Sequence, residues 1–315
     1  MENEQLIPVV DFSAYSLDRD QPDQETFQVL IQEVFKAFST IGFVYLVNTG
    51  ISREVVKDAF TKSENFFKLP ADQKKPFTRE KDNFGFVSIE LEGLNPERPH
   101  KDLKEGFNYV PSTISAIEKA KKHGISPKFL DSLHLLFTQA ERLHQRIVEV
   151  MGRGLNLQDP MMFVKAHNLI GRQGNGSTLR SLFYPPTSDY PTKEGQVRCG
   201  EHSDYGGITL LFQDSHGGLE VKQRNGNYIA AKPIEDAVVV NIGDLMQRWT
   251  ADKLVSTKHR VLMPFSEEGT KFVRQSIAFF GHPDDEEQIV CIDGSNKYPP
   301  IGSNEYLQYR FSLTY

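Results

Sequence analysis

His202 and Asp204 stand two residues apart, just before the glycine pair Gly206-Gly207. On an extended chain, residues i and i+2 project to the same side, so one strand end can present an imidazole and a carboxylate to a single metal ion. The glycines that follow allow a sharp turn. A third ligand must come from elsewhere, and nine histidines are available. His259, in Ser256-Thr257-Lys258-His259-Arg260-Val261, is the best candidate, because apolar and β-branched residues flank it as on an inward-facing wall. Two imidazoles and one carboxylate on one face of an octahedron leave three positions open. That arrangement suits Fe(II) oxygenases, in which O2 and a bidentate co-substrate bind together.

Arg274-Gln275-Ser276 repeats the spacing and aims a guanidinium and a hydroxyl the same way. A fixed fork plus a hydroxyl suits one carboxylate held in a bidentate manner. Charge counting agrees with 2-oxoglutarate as the bound diacid. Fe(II) with one aspartate keeps a net positive charge that the metal-bound carboxylate cancels, and Arg274 cancels the distal one. A buried dianion is tolerable only when paired in this way. Each piece alone is a weak signal, since His-x-Asp and Arg-x-Ser recur by chance and a buried histidine is usually just hydrogen-bonded. Their combination, in this order on successive strand-like segments, carries the argument. His216, two residues after Asp214, forms a rival pair, but Asp214-Ser215-His216-Gly217-Gly218 reads as a solvated turn. His100, His123, His134, His144 and His167 read as surface or helix-packing residues, and His282, before Pro283 and an acidic run, as a loop residue.

The elements that must position these groups are legible in the hydrophobic pattern. Residues 8–12 form a short extended run. Phe27, Leu30, Ile31, Val34, Phe35 and Phe38 predict a helix over 25–40, stopped by Gly42. A buried strand over 43–47 follows. Ser52 then caps a helix that runs to Phe67, with Pro70 beyond it. A stripe from Leu133 to Met151 predicts a long helix over 127–153. After about residue 178 the texture changes to short runs at 179–184, 208–212, 219–222, 228–230, 237–241, 259–263 and 272–280, separated by turn residues. Regular short strands of this kind predict a closed or two-sheet β core such as a jelly roll. The polar stretch 187–196 reads as a loop, either bordering a pocket or simply solvated.

Bulk properties bound the remaining classes. The 315 residues carry a net charge of -6 with 38% hydrophobic and 25% charged residues, an ordinary globular balance. Without Lys/Arg runs the chain is a poor partner for nucleic acid or anionic membrane. Two cysteines, Cys199 and Cys291, are too few for a disulfide scaffold. The acidic, polar start is followed by no signal-like apolar segment, and no apolar run is long enough to span a bilayer. A soluble, cytoplasmic protein is expected, in a reducing compartment that keeps iron ferrous.

Longer motifs add a family resemblance. Residues 8–12, 42–48 and 102–107, the pair Leu179-Arg180, and Tyr184-Pro185-Pro186 are similar to segments of the plant-type 2-oxoglutarate/Fe(II) dioxygenases, the superfamily that includes isopenicillin N synthase. Residues 202–214, 240–250 and 256–261 resemble the iron-binding part of that family, and the likeness covers nearly the whole chain. It implies an α+β fold with a double-stranded β-helix (jelly-roll) core and flanking helices. An N-terminal dioxygenase region would span 1–115, a linking helical segment 116–178, and the core 179–315. It implies Fe(II) on His202, Asp204 and His259, 2-oxoglutarate on Arg274, Ser276 and Tyr184, O2 as oxidant and ascorbate as reductant. The activity implied is oxidation, chiefly hydroxylation, of an unactivated C–H bond in a small-molecule metabolite, with succinate and CO2 as co-products. Two departures stand out. Leu182 occupies a position where many members carry Asn, which removes one polar contact to the co-substrate. The interval from His259 to Arg274 is long and implies an extended turn around 266–270. Phe86, Phe107, Tyr109 and Tyr205 are the aromatic candidates for substrate contact, with core packing as the competing role for each. Two rival classes remain: an oxidase of the same fold that does not use 2-oxoglutarate, and a non-catalytic metal-binding protein.

Overall fold

Apolar stripes set the N-terminal elements of the computed structural model, which describes residues 6–79, 81, 83–93, 100–111, 127–190, 193–264 and 269–313. Strand β1 (Val9–Asp11) leads to α1 (Phe27–Thr40), whose buried face carries Phe27, Leu30, Ile31, Val34 and Phe38 at helical spacing. The chain then turns at Gly42, where φ is 72° and a Cβ would meet the Val255 carbonyl oxygen, so glycine is required. After β2 (Phe43–Val47), α2 (Arg53–Phe67) begins with the Ser52 hydroxyl accepting from the Val55 N–H. A short α3 (Ala71–Lys74), β3 (Gly85–Val87) and β4 (Glu105–Tyr109) follow. The long α4 (Pro127–Gly154) and the short α5 (Met162–Lys165) precede β5 (Thr178–Tyr184).

The remaining strands are β6 (Cys199–His202), β7 (Ile208–Gln213), β8 (Leu219–Lys222), β9 (Tyr228–Ala230) and β10 (Val238–Ile242). A short α6 (Asp244–Trp249) leads to β11 (His259–Val261) and β12 (Arg274–Gly281), and α7 (Ser303–Ser312) comes last. Eight strands form one sheet in the order β1-β2-β10-β7-β12-β5-β4-β3, and four form a second in the order β6-β11-β8-β9. Period-two alternation divides the side chains. Val239, Tyr45 and Tyr184 pack with Leu219, Val221 and Val261 of the small sheet, while Val238, Val240 and Leu46 join the core shared with α1, α2 and α4. This is the α+β jelly roll with helices on one face that the sequence predicts.

The N-terminal region contributes directly to the β core: β1 and β2, at the two extended runs expected there, extend the large sheet at one end, and β4 and β3 at the other. β3 and β4 escape the sequence pattern because Gly, Asn and Glu are poor strand formers, and pairing with β5 supplies what propensity lacks. The stretch 187–196 contains a 3-10 turn at Thr187–Asp189. Of the turn expected around 266–270, residues 265–268 lie outside the described set, and Gly269–Lys271 form a 3-10 turn. No described helix is long and apolar enough to cross a membrane.

His144 on α4 and His167 just beyond α5 are fully buried with ring centroids 4.8 Å apart. Burial pushes His167 down to about 4 and His144 well below its ordinary 6.5, the latter helped by His167 and His282. The unfolded chain therefore binds protons at both sites before the folded chain does. Stability is complete above pH 6.5 and falls as the pH drops toward 4, by up to about 1.4 kcal/mol per pH unit for each histidine. Urea midpoints measured at pH 7 and pH 5 should show this loss, and His167→Gln should flatten it.

Candidate active site

Antiparallel pairing of β6 with β11 sets His202 directly opposite His259, with ring centroids 4.3 Å apart. Each histidine places Nδ1 against the carbonyl two residues before it, Gly200 at 2.8 Å and Thr257 at 3.1 Å. A carbonyl only accepts, so each Nδ1 carries the proton and each Nε2 keeps a free lone pair. Both Nε2 atoms lie 3.7 Å from Asp204 Oδ1, and the three donor atoms fall within 4.8 Å of one another. Burial, reinforced by His202, pushes His259 down to about 4 and keeps it neutral.

The carboxylate of Asp204 is divided in its duties. Oδ2 accepts from the Thr209 hydroxyl at 2.6 Å and from Asn241 Nδ2 at 2.8 Å, leaving Oδ1 to the histidines. Burial alone would raise its pKa, but His259, His202 and those two hydrogen bonds outweigh burial and hold it below the ordinary value. Two imidazoles and one ionised oxygen on a common face are the donor set that suits a ferrous ion with open positions. Asp244 braces the surroundings. Its Oδ1 accepts from Ser256 Oγ at 2.6 Å, its Oδ2 from Ser203 Oγ at 2.9 Å and from Arg310, and its N–H donates to the Asp204 carbonyl at 2.7 Å.

One cavity lies between the two sheets, lined by Leu182, Tyr184, Thr209, Leu211, Arg274 and Ser276 together with the three donors. Arg274 is 1% exposed, stacks on the Tyr184 ring at 4.7 Å and donates to Ser276 Oγ at 3.4 Å. Among the described residues no carboxylate lies within ion-pair distance of it. A second buried guanidinium, Arg198, also lies over Tyr184 at 6.0 Å. The buried charge of Arg274, without a described counter-ion, calls for an anion in this cavity. Leu182 pairs in register with Ser276, so the Asn-to-Leu departure puts an apolar wall beside the hydroxyl.

A second cleft opens on the other side of His202 and Asp204, lined by Asn83, Asn108, Thr178, Arg180, Tyr205, Phe280, His282 and Phe311. Asn108 Nδ2 donates to Asn83 Oδ1 at 2.9 Å, and Asn108 Oδ1 has no partner among the described residues. Glu92 holds Arg180 by an ion pair and also lies 3.9 Å from Lys104. Helix α7 closes the cleft, with Arg310 4.2 Å above the Tyr205 ring and Phe311 at its edge.

Of the four aromatic candidates, Tyr205 alone reaches this cleft. Phe86, Phe107 and Tyr109 belong to the aromatic core, where Phe107 packs on Phe66, Phe84 and Phe129. His282 occupies a loop as expected but is 6% exposed and lines the cleft. Phe280 and His282 had a legible signal. Residues 274, 276, 278, 280 and 282 share the parity of Arg274, so the strand that carries the guanidinium also carries them to the metal side. Asn83, Asn108 and Phe311 had none, because only long-range packing brings them in. His216 lies 3.2 Å from Asp214 in a turn, as expected. His134 is exposed and bonds Tyr109 at 3.0 Å, and His123 lies outside the described residues.

A two-sheet jelly roll that gathers two imidazoles and a carboxylate beside a buried arginine without a described counter-ion defines a mononuclear non-haem iron oxygenase. Residues 175–283 match the model of the 2OG-Fe(II) oxygenase superfamily, and residues 7–127 match that of the non-haem dioxygenase in morphine synthesis N-terminal region. The chain is 31% identical over 303 residues to the proline hydroxylase buaE of Petromyces alliaceus, covering 92% of this chain and 90% of that one. It superposes on a full-length Neurospora crassa protein, crystallised in complex with alpha-KG and thymine, with TM-score 0.84 and 31% identity, covering 99% and 98% of the two chains. A putative 2OG-Fe(II) oxygenase family protein from Caulobacter crescentus gives TM-score 0.79 at 27% identity, covering 98% of each chain. The chain belongs to the 2OG-Fe(II) oxygenase superfamily. It is an Fe(II)-, 2-oxoglutarate- and O2-dependent dioxygenase that oxidises, by hydroxylation, a C–H bond of a small molecule, and the two rival classes are not favoured.

Supporting hydrogen bonds of metal ligands commonly govern affinity by 10- to 100-fold. Asn241→Ala should therefore weaken divalent-metal affinity by roughly that factor, as read by titration with Co(II). Unchanged affinity would mean that Thr209 alone suffices to hold Asp204.

Proposed function

We propose that His202, Asp204 and His259 hold the Fe(II), that Arg274, Ser276 and Tyr184 hold the distal carboxylate of 2-oxoglutarate, and that the cleft beside Tyr205 takes a small, flat, carbonyl-bearing heterocycle such as thymine. The observation that carries this reading is the buried Arg274, without a described counter-ion, on one side of the donor atoms and a cleft of amides and aromatic rings on the other. The similar Neurospora crassa protein, of which crystals were obtained with thymine and alpha-KG, supports the choice of ligand class. When bound, ferrous iron and 2-oxoglutarate together supply the activation of O2 that an unactivated C–H bond requires.

The chain's own residues bind, orient and exclude water. Arg274 neutralises the distal carboxylate while its guanidinium plane rests on Tyr184, and Leu182 and Leu211 keep the surrounding wall dry. Tyr205 and Phe280 offer ring faces to a flat substrate, and Asn83 and Asn108 bring amide groups to the cleft wall. The division into an N-terminal region over 1–115, a linking segment over 116–178 and a core over 179–315 is part of the same reading, supported by the separate family matches at 7–127 and 175–283. So is a cytoplasmic location, supported by the free thiols of Cys199 and Cys291 and by the need for ferrous iron.

Succinate release from 2-oxoglutarate, measured with a panel of pyrimidine bases, tests the proposal. Thymine should stimulate turnover, and His202→Ala or Asp204→Ala should abolish it. Arg274→Leu should raise the KM for 2-oxoglutarate at least about 30-fold, the effect of losing a buried charge pair worth about 2 kcal/mol or more. A panel that leaves turnover unchanged would remove the substrate class, and an unaltered KM would remove Arg274 from the co-substrate site.

A further inference from the structure

His282 lines the cleft beside His202 and Asp204 and belongs to neither the donor set nor the co-substrate cavity. Its backbone is pinned on both sides. The N–H donates to Ser177 Oγ at 2.9 Å and the carbonyl accepts from Asn175 Nδ2 at 2.9 Å. One edge of the ring rests on Gly206, where a Cβ would come within 1.9 Å of Nδ1. The ring therefore has a fixed position and little room to turn.

The two ring nitrogens differ in surroundings. Nδ1 is sealed from solvent and has no hydrogen-bond partner among the described residues. A buried N–H without an acceptor is rarer in folded proteins than an unused acceptor lone pair, so Nδ1 is the bare nitrogen and Nε2 bears the proton. Burial, together with His167 nearby, pushes the imidazole down to about 4, so this single N–H is all the ring offers at neutral pH. Nε2 is not among the sealed nitrogens and has no acceptor among the described residues. It is the atom of this ring that a molecule in the cleft can meet.

We infer that His282 donates its Nε2–H to a carbonyl oxygen of the bound substrate and thereby sets specificity for substrates that carry an acceptor at that point. The inference rests on the proposal that the cleft holds a carbonyl-bearing heterocycle. A substrate without that oxygen leaves a buried donor unpaired, and such sites discriminate far more sharply than apolar pockets of equal shape.

The test uses the full-length enzyme with Fe(II) and 2-oxoglutarate, and thymine with its 2-thio and 4-thio analogues as probes. Sulfur is a weaker acceptor than oxygen, so one of the two analogues should show a KM about tenfold above that of thymine. His282→Phe should raise the KM for thymine by a similar factor, erase the penalty on that analogue, and leave the KM for 2-oxoglutarate unchanged. His282→Gln, which keeps a donor, should recover part of the loss. Equal KM values for thymine and both analogues in the wild type overturn the inference and need no variant. A penalty that survives in His282→Phe reduces the residue to a packing role and overturns it too. If thymine fails to stimulate an enzyme that still turns over 2-oxoglutarate, the substrate class falls, and this assignment with it.

Discussion

The centre depends on one carboxylate whose two oxygens face different partners. Thr209 on β7 and Asn241 on β10, both in the large sheet, take up Asp204 Oδ2, while Oδ1 faces histidines carried by the small sheet. Asp204 thus ties the two sheets together at the point where they must cooperate. The histidines need little from side chains, because each imidazole is oriented by the carbonyl two residues before it. That local device works only on an extended backbone, which explains why both histidines sit at strand ends.

Charge is distributed around this centre by a simple rule. Where a ligand is needed, positive charge is left open, as at Arg274 beside Tyr184. Where none is needed, it is closed: Lys104 pairs with Asp102 at 2.6 Å and lies near Glu92, which in turn holds Arg180. The closed network also supports the open site, because Asp102 Oδ1 accepts from the Gly200 N–H in the strand that ends at His202. Breaking a buried pair of this kind leaves an uncompensated charge, so the network resists piecemeal change.

Much of this was legible in the residues alone. Helices α1, α2 and α4 follow from apolar stripes because their packing faces are continuous, and the short strands of the β-rich half follow from turn residues at regular intervals. His202 with Asp204, and Arg274 with Ser276, were legible because i, i+2 spacing is a local geometric fact, and His259 was legible from its apolar and β-branched flanks. The strands β3 and β4 were not, since their residues favour no strand by themselves and the sheet imposes one. Nor were the cleft residues Asn83, Asn108 and Phe311, which come together from distant segments. Phe86, Phe107 and Tyr109 show the reverse failure. An aromatic residue on a segment that borders a site has no reason to face it when a ring cluster stands ready on the other side of the sheet.

The position of Asp244 has a mechanical consequence. Its side chain touches Ser203, Ser256 and Arg310, so the final helix is mechanically coupled to both ligand-bearing segments. A displacement of this helix would therefore reach the segments that carry His202, Asp204 and His259, and not just the mouth of the cleft.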